Sequence, residues 1–145
     1  MLNIPFTALD AAAAAPAYAH QRDAGADLVA TCDVTLEARG GRALVPTGFA
    51  IAIPERHAGL VLARSGLAIH HGVSCLNAPG LIDSGFRGEV QVVLFNTDPR
   101  ESYTVHRGDR VAQLVIVPIE VARFFAVEEL PPSERGQGGF GHSGP

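Results

Sequence analysis

The run VQVVLF, residues 90–95, decides the fold. Val90, Val92 and Leu94 alternate with Gln91, Val93 and Phe95, which is the two-residue period of a β-strand. One face is apolar and the other mostly so, and such a strand is covered on both sides, by a second sheet or by another subunit. Further out, short apolar runs recur as FAIAI (49–53), LVL (60–62), LVIV (114–117) and FFAV (124–127), with Gly, Pro, Asp and Asn between them. These also read as strands. Apart from the alanines at 11–15, no window keeps an amphipathic 3.6-residue period over ten or more positions, and Pro16 cuts the alanines short. The pattern predicts an all-β sandwich or barrel, with residues 10–22 as a surface lead-in.

Composition narrows the functional classes. With 145 residues, 47% of them hydrophobic, the chain can bury one core and is too short for two. A net charge of −4 argues against gripping nucleic acid through the overall field, which needs clustered cations, but a few local arginines suffice for a small anion. The two cysteines, Cys32 and Cys75, have no metal-ligand spacing and read as reduced thiols. No apolar run approaches the roughly 18 residues of a membrane span, and the first residues lack a basic segment before an apolar one. The expected location is the cytoplasm. From Pro131 the chain changes character: PPSERGQGGFGHSGP holds five glycines and one large apolar residue, Phe140. The predicted division is a β domain over 1–130 and a mobile tail over 131–145.

Five polar, glycine-punctuated segments interrupt the apolar runs: DAGADL (23–28), ARSGLA (63–68), NAPGLIDSGFRGE (77–89), RGDRVAQL (107–114) and RGQGGFGHSG (135–144). Singly, each reads as a turn. Neither a GxxxxGK[ST] phosphate loop nor a GxSxG nucleophile elbow is present. His20, His57, His70, His71 and His106 form no zinc-binding spacing, and the neighbours His70 and His71 are expected on opposite faces of a strand.

In order and spacing, the five segments resemble the five motifs of the trimeric dUTPases, over Asp23 to Gly144. The third and fifth are the most specific. The resemblance implies a jelly-roll-like β-sandwich, a homotrimer with shared active sites, dUTP as substrate and Mg²⁺ as cofactor. In that family the reaction yields dUMP and pyrophosphate. Asp83 would be the general base that takes a proton from water attacking the α-phosphorus. Asp27 would hold Mg²⁺ through water, and Asp23 is structural. Arg64, Ser65 and Gly66 would grip the phosphates, with Gln113 adding a polar contact. Asn77, Gly80, Leu81 and Ile82 would line the uracil slot, Phe86 would pack on the deoxyribose, and Gln91 is a weaker contact. From the tail, Arg135 would reach the terminal phosphate, Phe140 would stack on uracil, Gly141 would give flexibility, and Ser143 would donate to phosphate. Asp109 and Arg110 are expected to pair with each other.

Two positions depart from the common pattern: Phe86 stands where tyrosine is usual, and His142-Ser143 replaces Ser-Thr. Of the rival readings, a dCTP deaminase of the same fold would carry a catalytic glutamate where this chain has Val93 and would lack the RGxGGFG tail. In a non-catalytic nucleotide-binding regulator, the base or the tail would be lost, yet Asp83 and Arg135 are both present.

Overall fold

The computed structural model describes residues 2–139. Ten strands and one short helix follow one another as β1 (Phe6–Ala8), β2 (Ala26–Val29), β3 (Val34–Leu36), β4 (Arg42–Ile51), β5 (His57–Ala63), α1 (Ser65–His71), β6 (Val73–Cys75), β7 (Gly80–Ile82), β8 (Glu89–Asn96), β9 (Tyr103–Val105) and β10 (Arg110–Pro118). One sheet has the order β1-β4-β8-β6 and the other β2-β10-β5-β7, while β3 and β9 form a separate ribbon. Every pairing is antiparallel. This is the two-layer, jelly-roll-like sandwich expected from the sequence.

The run at 90–95 is the middle of β8, which lies between β4 and β6. Val90, Val92 and Leu94 point into the core with Phe49, Leu28 and Val45, whereas Gln91 is exposed and Val93 and Phe95 are half-buried. The second face is thus only partly covered by this chain. Buried side chains of this size each contribute about 1.5–3 kcal/mol. Polar atoms inside the sandwich are paired: Asn96 donates to the carbonyls of Leu36 and Glu101, at 3.2 and 2.8 Å, and the Thr47 hydroxyl donates to the carbonyl of Val90. Cys75 belongs to the core, where burial pushes its thiol up to about 11, and Cys32 is exposed; both are free.

Two expectations fail here. His70 and His71 form the last turn of α1 instead of a strand, because Gly72 takes the left-handed conformation (φ 64°) and closes the helix through the Leu67 and Ala68 carbonyls. The FFAV run forms no strand, and Phe124 and Phe125 are 93% and 76% exposed. Apolar composition supplies the pattern of a strand, but a ladder also needs a paired edge, and among the described residues no strand pairs with 124–127.

Candidate active site

Local geometry around Asp83 comes from an edge strand and a tight turn. β7 pairs with β5, in the register Gly59↔Ile82, Leu60↔Leu81 and Val61↔Gly80, and it is the last strand of its sheet. Its outward N–H and C=O groups are therefore not used by the sheet. Ile82 anchors the strand in the core, and the chain then turns as the Phe86 N–H donates to the Asp83 carbonyl at 3.1 Å. Arg87 braces the turn by donating Nη1 to the carbonyls of Ser84 and Phe86, both at 2.7 Å. Asp83 is left exposed, and no ion pair among the described residues involves it.

A cleft of about 270 Å³ opens beside this turn, lined by Asp83, Phe86 and Gln91 together with Leu44, Leu81, Ile82, Glu89 and Val90. Glu89 organises its wall: one carboxylate oxygen accepts the Gly48 N–H at 2.7 Å and the other accepts Gln91 Nε2 at 3.2 Å. Gly48 lies at the irregularity in the β4–β8 register with φ +74°, and a Cβ there would come within 2.7 Å of Thr31 Cγ2. Asn77 lies close by, since a Cβ on Gly80 would be 3.3 Å from its Nδ2.

A second constellation surrounds Asp27. Far from being a turn residue, Asp27 is in the middle of β2, with its side chain only 8% exposed. Arg110 Nη1 is 3.1 Å from Oδ2, Arg64 Nε is 3.7 Å from Oδ1, and Gln113 Nε2 is 3.4 Å from Oδ1. The expected Asp109–Arg110 pair does not form. Asp109 instead accepts the His106 N–H at 2.8 Å and caps its own turn. Asp23 is structural, accepting the His20 N–H at 2.8 Å. Ser65 and Gly66 begin α1, are exposed, and follow directly on Arg64; nothing lies within 4 Å of where a Gly66 Cβ would stand. Packing in this chain therefore does not require glycine at that position.

The two constellations remain apart within one chain, since Asp27, Arg64 and Gln113 do not line the cleft beside Asp83. Arg135 occupies an exposed turn of the tail, where it donates to the carbonyls of Gly138 and Gly139 at 2.8 and 3.3 Å. Phe140, Gly141, His142 and Ser143 lie outside the described residues. Sequence reasoning missed Glu89 as the organiser of the cleft, although it ends the GLIDSGFRGE segment, and it missed the partnership of Arg110 with Asp27.

Among the described residues, no group of three or more His, Cys, Asp or Glu is placed to hold a metal ion. A lone carboxylate that already accepts from arginine and glutamine keeps lone pairs for water, which fits an ion held mainly by a ligand's own oxygens.

Comparison with known proteins agrees with this architecture. The dUTPase family model matches residues 11–144. The deoxyuridine 5'-triphosphate nucleotidohydrolase of Cutibacterium acnes is 54% identical over 131 residues, covering 90% of this chain and 86% of that protein. The protein of the same name from Thermobifida fusca is 55% identical over 129 residues, covering 89% and 72%. Among solved structures, a variant of the Staphylococcus bacteriophage 80alpha dUTPase with dUpNHpp superposes with a TM-score of 0.90 at 30% identity, over 99% of each chain. The dUTPase of the S. aureus phage phi11, in a variant described as showing coordination of a structural Mg(II) ion, gives 0.81 at 28% identity over 88% of this chain and 98% of that one. Sequence, fold and the arrangement of its polar segments together make this chain a member of the dUTPase family.

Proposed function

We infer that this chain hydrolyses dUTP to dUMP and pyrophosphate, with Asp83 as general base. One observation carries the assignment of the base: an exposed carboxylate, unpaired among the described residues, at a cleft walled by the edge strand β7 and the ring of Phe86. Water attacks the α-phosphorus, its proton passes to the Asp83 carboxylate, and the bond to the bridging oxygen breaks as pyrophosphate leaves in line. The free backbone edge of Gly80, Leu81 and Ile82, with Asn77, recognises uracil by imitating a pairing base. Cytosine would leave those groups unpaired, which costs far more than a missing methylene. Phe86 packs on the deoxyribose and excludes a 2′-hydroxyl by shape, and Gln91, which also lines the cleft, contributes a polar contact.

Phosphate binding falls to Arg64, Ser65, Gly66 and Gln113, which offer a guanidinium, a hydroxyl, an open backbone and an amide. Mg²⁺, with Asp27 acting through water, supplies charge neutralisation on the triphosphate when bound. The tail over 131–145 closes the site, with Arg135 on the terminal phosphate, Phe140 on the base and Gly141 and Ser143 contributing contacts to the substrate. A homotrimer with shared sites is supported by the separation of the Asp83 and Asp27 constellations in one chain and by the uncovered FFAV run. Among the described residues no helix is long and apolar enough to cross a membrane, and the place of action proposed is the cytoplasm.

Pyrophosphate release measured side by side from dUTP, dCTP, dTTP and UTP with Mg²⁺ tests this reading. Turnover confined to dUTP is expected. Ammonia release from dCTP would instead identify a deaminase.

A further inference from the structure

Arg110 owes its position to a defect in the ladder. The β10–β2 register runs Gln113↔Asp27 and Ala112↔Leu28 but then Arg110↔Val29, so an extra residue is accommodated between Arg110 and Ala112. In a regular strand, residues 110 and 113 would project from opposite faces. The bulge turns Val111 and Ala112 both into the core and leaves Arg110 and Gln113 on the same side, where each reaches Asp27. Arg64 joins them through β10 itself, donating Nη1 to the Arg110 carbonyl at 2.8 Å.

The distances divide the labour. Arg110 is within charge-assisted hydrogen-bond range of Asp27, whereas Arg64 stands off at 3.7 Å and is tethered by a neutral carbonyl. One nearly buried carboxylate is balanced mainly by Arg110, and this leaves the positive charge of Arg64 only loosely engaged. Without Arg110, the same carboxylate would have Arg64 as its sole close cation among the described residues and would draw it in, because a buried charge without a partner is costly.

We propose that Arg110 is a positioning residue for triphosphate binding: it occupies Asp27 so that Arg64 stays available to the phosphates. The proposal rests on the reading of Arg64, Ser65, Gly66 and Gln113 as the phosphate-binding set. It concerns a residue that need not touch substrate.

The test is calorimetric binding of α,β-imido-dUTP and of dUMP, with Mg²⁺, to the full chain and to Arg110→Gln. Affinity for the triphosphate analogue is expected to fall roughly tenfold, the scale of one charge-assisted contact. Affinity for dUMP should change by less than about twofold, the usual scatter between independent sites. Arg110→Lys, which keeps the charge, should recover part of the loss. In an Asp27→Asn background, Arg110→Gln should cause no further loss, because its effect runs through that carboxylate. Equal weakening of both ligands would overturn the proposal, as would a full additional loss in the Asp27→Asn background, which would make Arg110 a direct phosphate contact. A wild-type chain that binds the triphosphate analogue no better than dUMP would refute the phosphate-binding reading itself, and the proposal with it.

Discussion

Asp27 lies in one strand of a sheet and Asp83 directly follows another strand of the same sheet, yet the fold treats them oppositely. Asp83 follows an edge strand into a turn closed by a main-chain bond and braced by the Arg87 side chain, and among the described residues its carboxylate has no ion-pair partner. Asp27 lies inside a strand, nearly buried, with two arginines and a glutamine around it. A group that must accept a proton from a transient water gains nothing from a permanent cation, which would hold it charged and occupied. A group that organises charge is useful only when its partners are fixed in advance. The difference suggests that the turn after β7 is built for chemistry and the β2–β10 pair for electrostatics.

The strongest way to break this contrast is to neutralise Asp83. Asp83→Asn is expected to reduce kcat by about 10²- to 10⁴-fold, the usual contribution of a positioned base. Binding of α,β-imido-dUTP should persist, since an amide can still position water but cannot take its proton. Near-normal turnover in this variant would remove Asp83 from the chemistry. Next in size is removal of everything after Leu130. Closure by Arg135 and Phe140 would be lost while the core is intact, so kcat/KM is expected to fall on the order of 10²-fold, typical of lost positioning. The unfolding temperature should hardly move, because residues 131–139 are almost wholly exposed. Full activity in that truncation would refute the lid.

How much of this was legible in the sequence depended on the range of the forces involved. The alternation in VQVVLF and the apolar runs at 60–62 and 114–117 are local signals that lie in strands of the sandwich, whereas of the run at 49–53 only Phe49–Ile51 do, as the end of β4, with Ala52 and Ile53 beyond it. The turn that carries Asp83 was legible too, because GLIDSGFRGE punctuates the end of β7 with turn-forming residues within ten positions. Asp27 was read in a glycine-punctuated segment and turned out to lie within a strand, as β2 is only four residues long and takes its stability from β10. The Arg110–Asp27 pair was not legible at all. Strand parity assigns Arg110 and Gln113 to different faces, and only the bulge, a feature of pairing between distant segments, reverses that. FFAV misled for the related reason that composition cannot report whether an edge is available.

The smallest effect concerns the shape of the turn between β7 and β8, at Gly88. A Cβ on Gly88 would lie 2.8 Å from Phe86 Cζ and 3.0 Å from Cε2, so the ring rests over a backbone position that only glycine leaves open. The contact is with the far end of a side chain that is 42% exposed, and the ring can swing away without disturbing the core. Gly88→Ala should therefore fold with stability within about 0.5 kcal/mol of the parent, as surface changes usually do. Its consequence should appear in sugar discrimination. If Phe86 excludes a 2′-hydroxyl by shape, moving the ring should lower the ratio of kcat/KM for dUTP over UTP by about tenfold, the scale of a small steric misfit. The loss should come from faster UTP hydrolysis, with dUTP affected less. An unchanged ratio would mean that selectivity against the ribose does not depend on where Gly88 lets the ring rest.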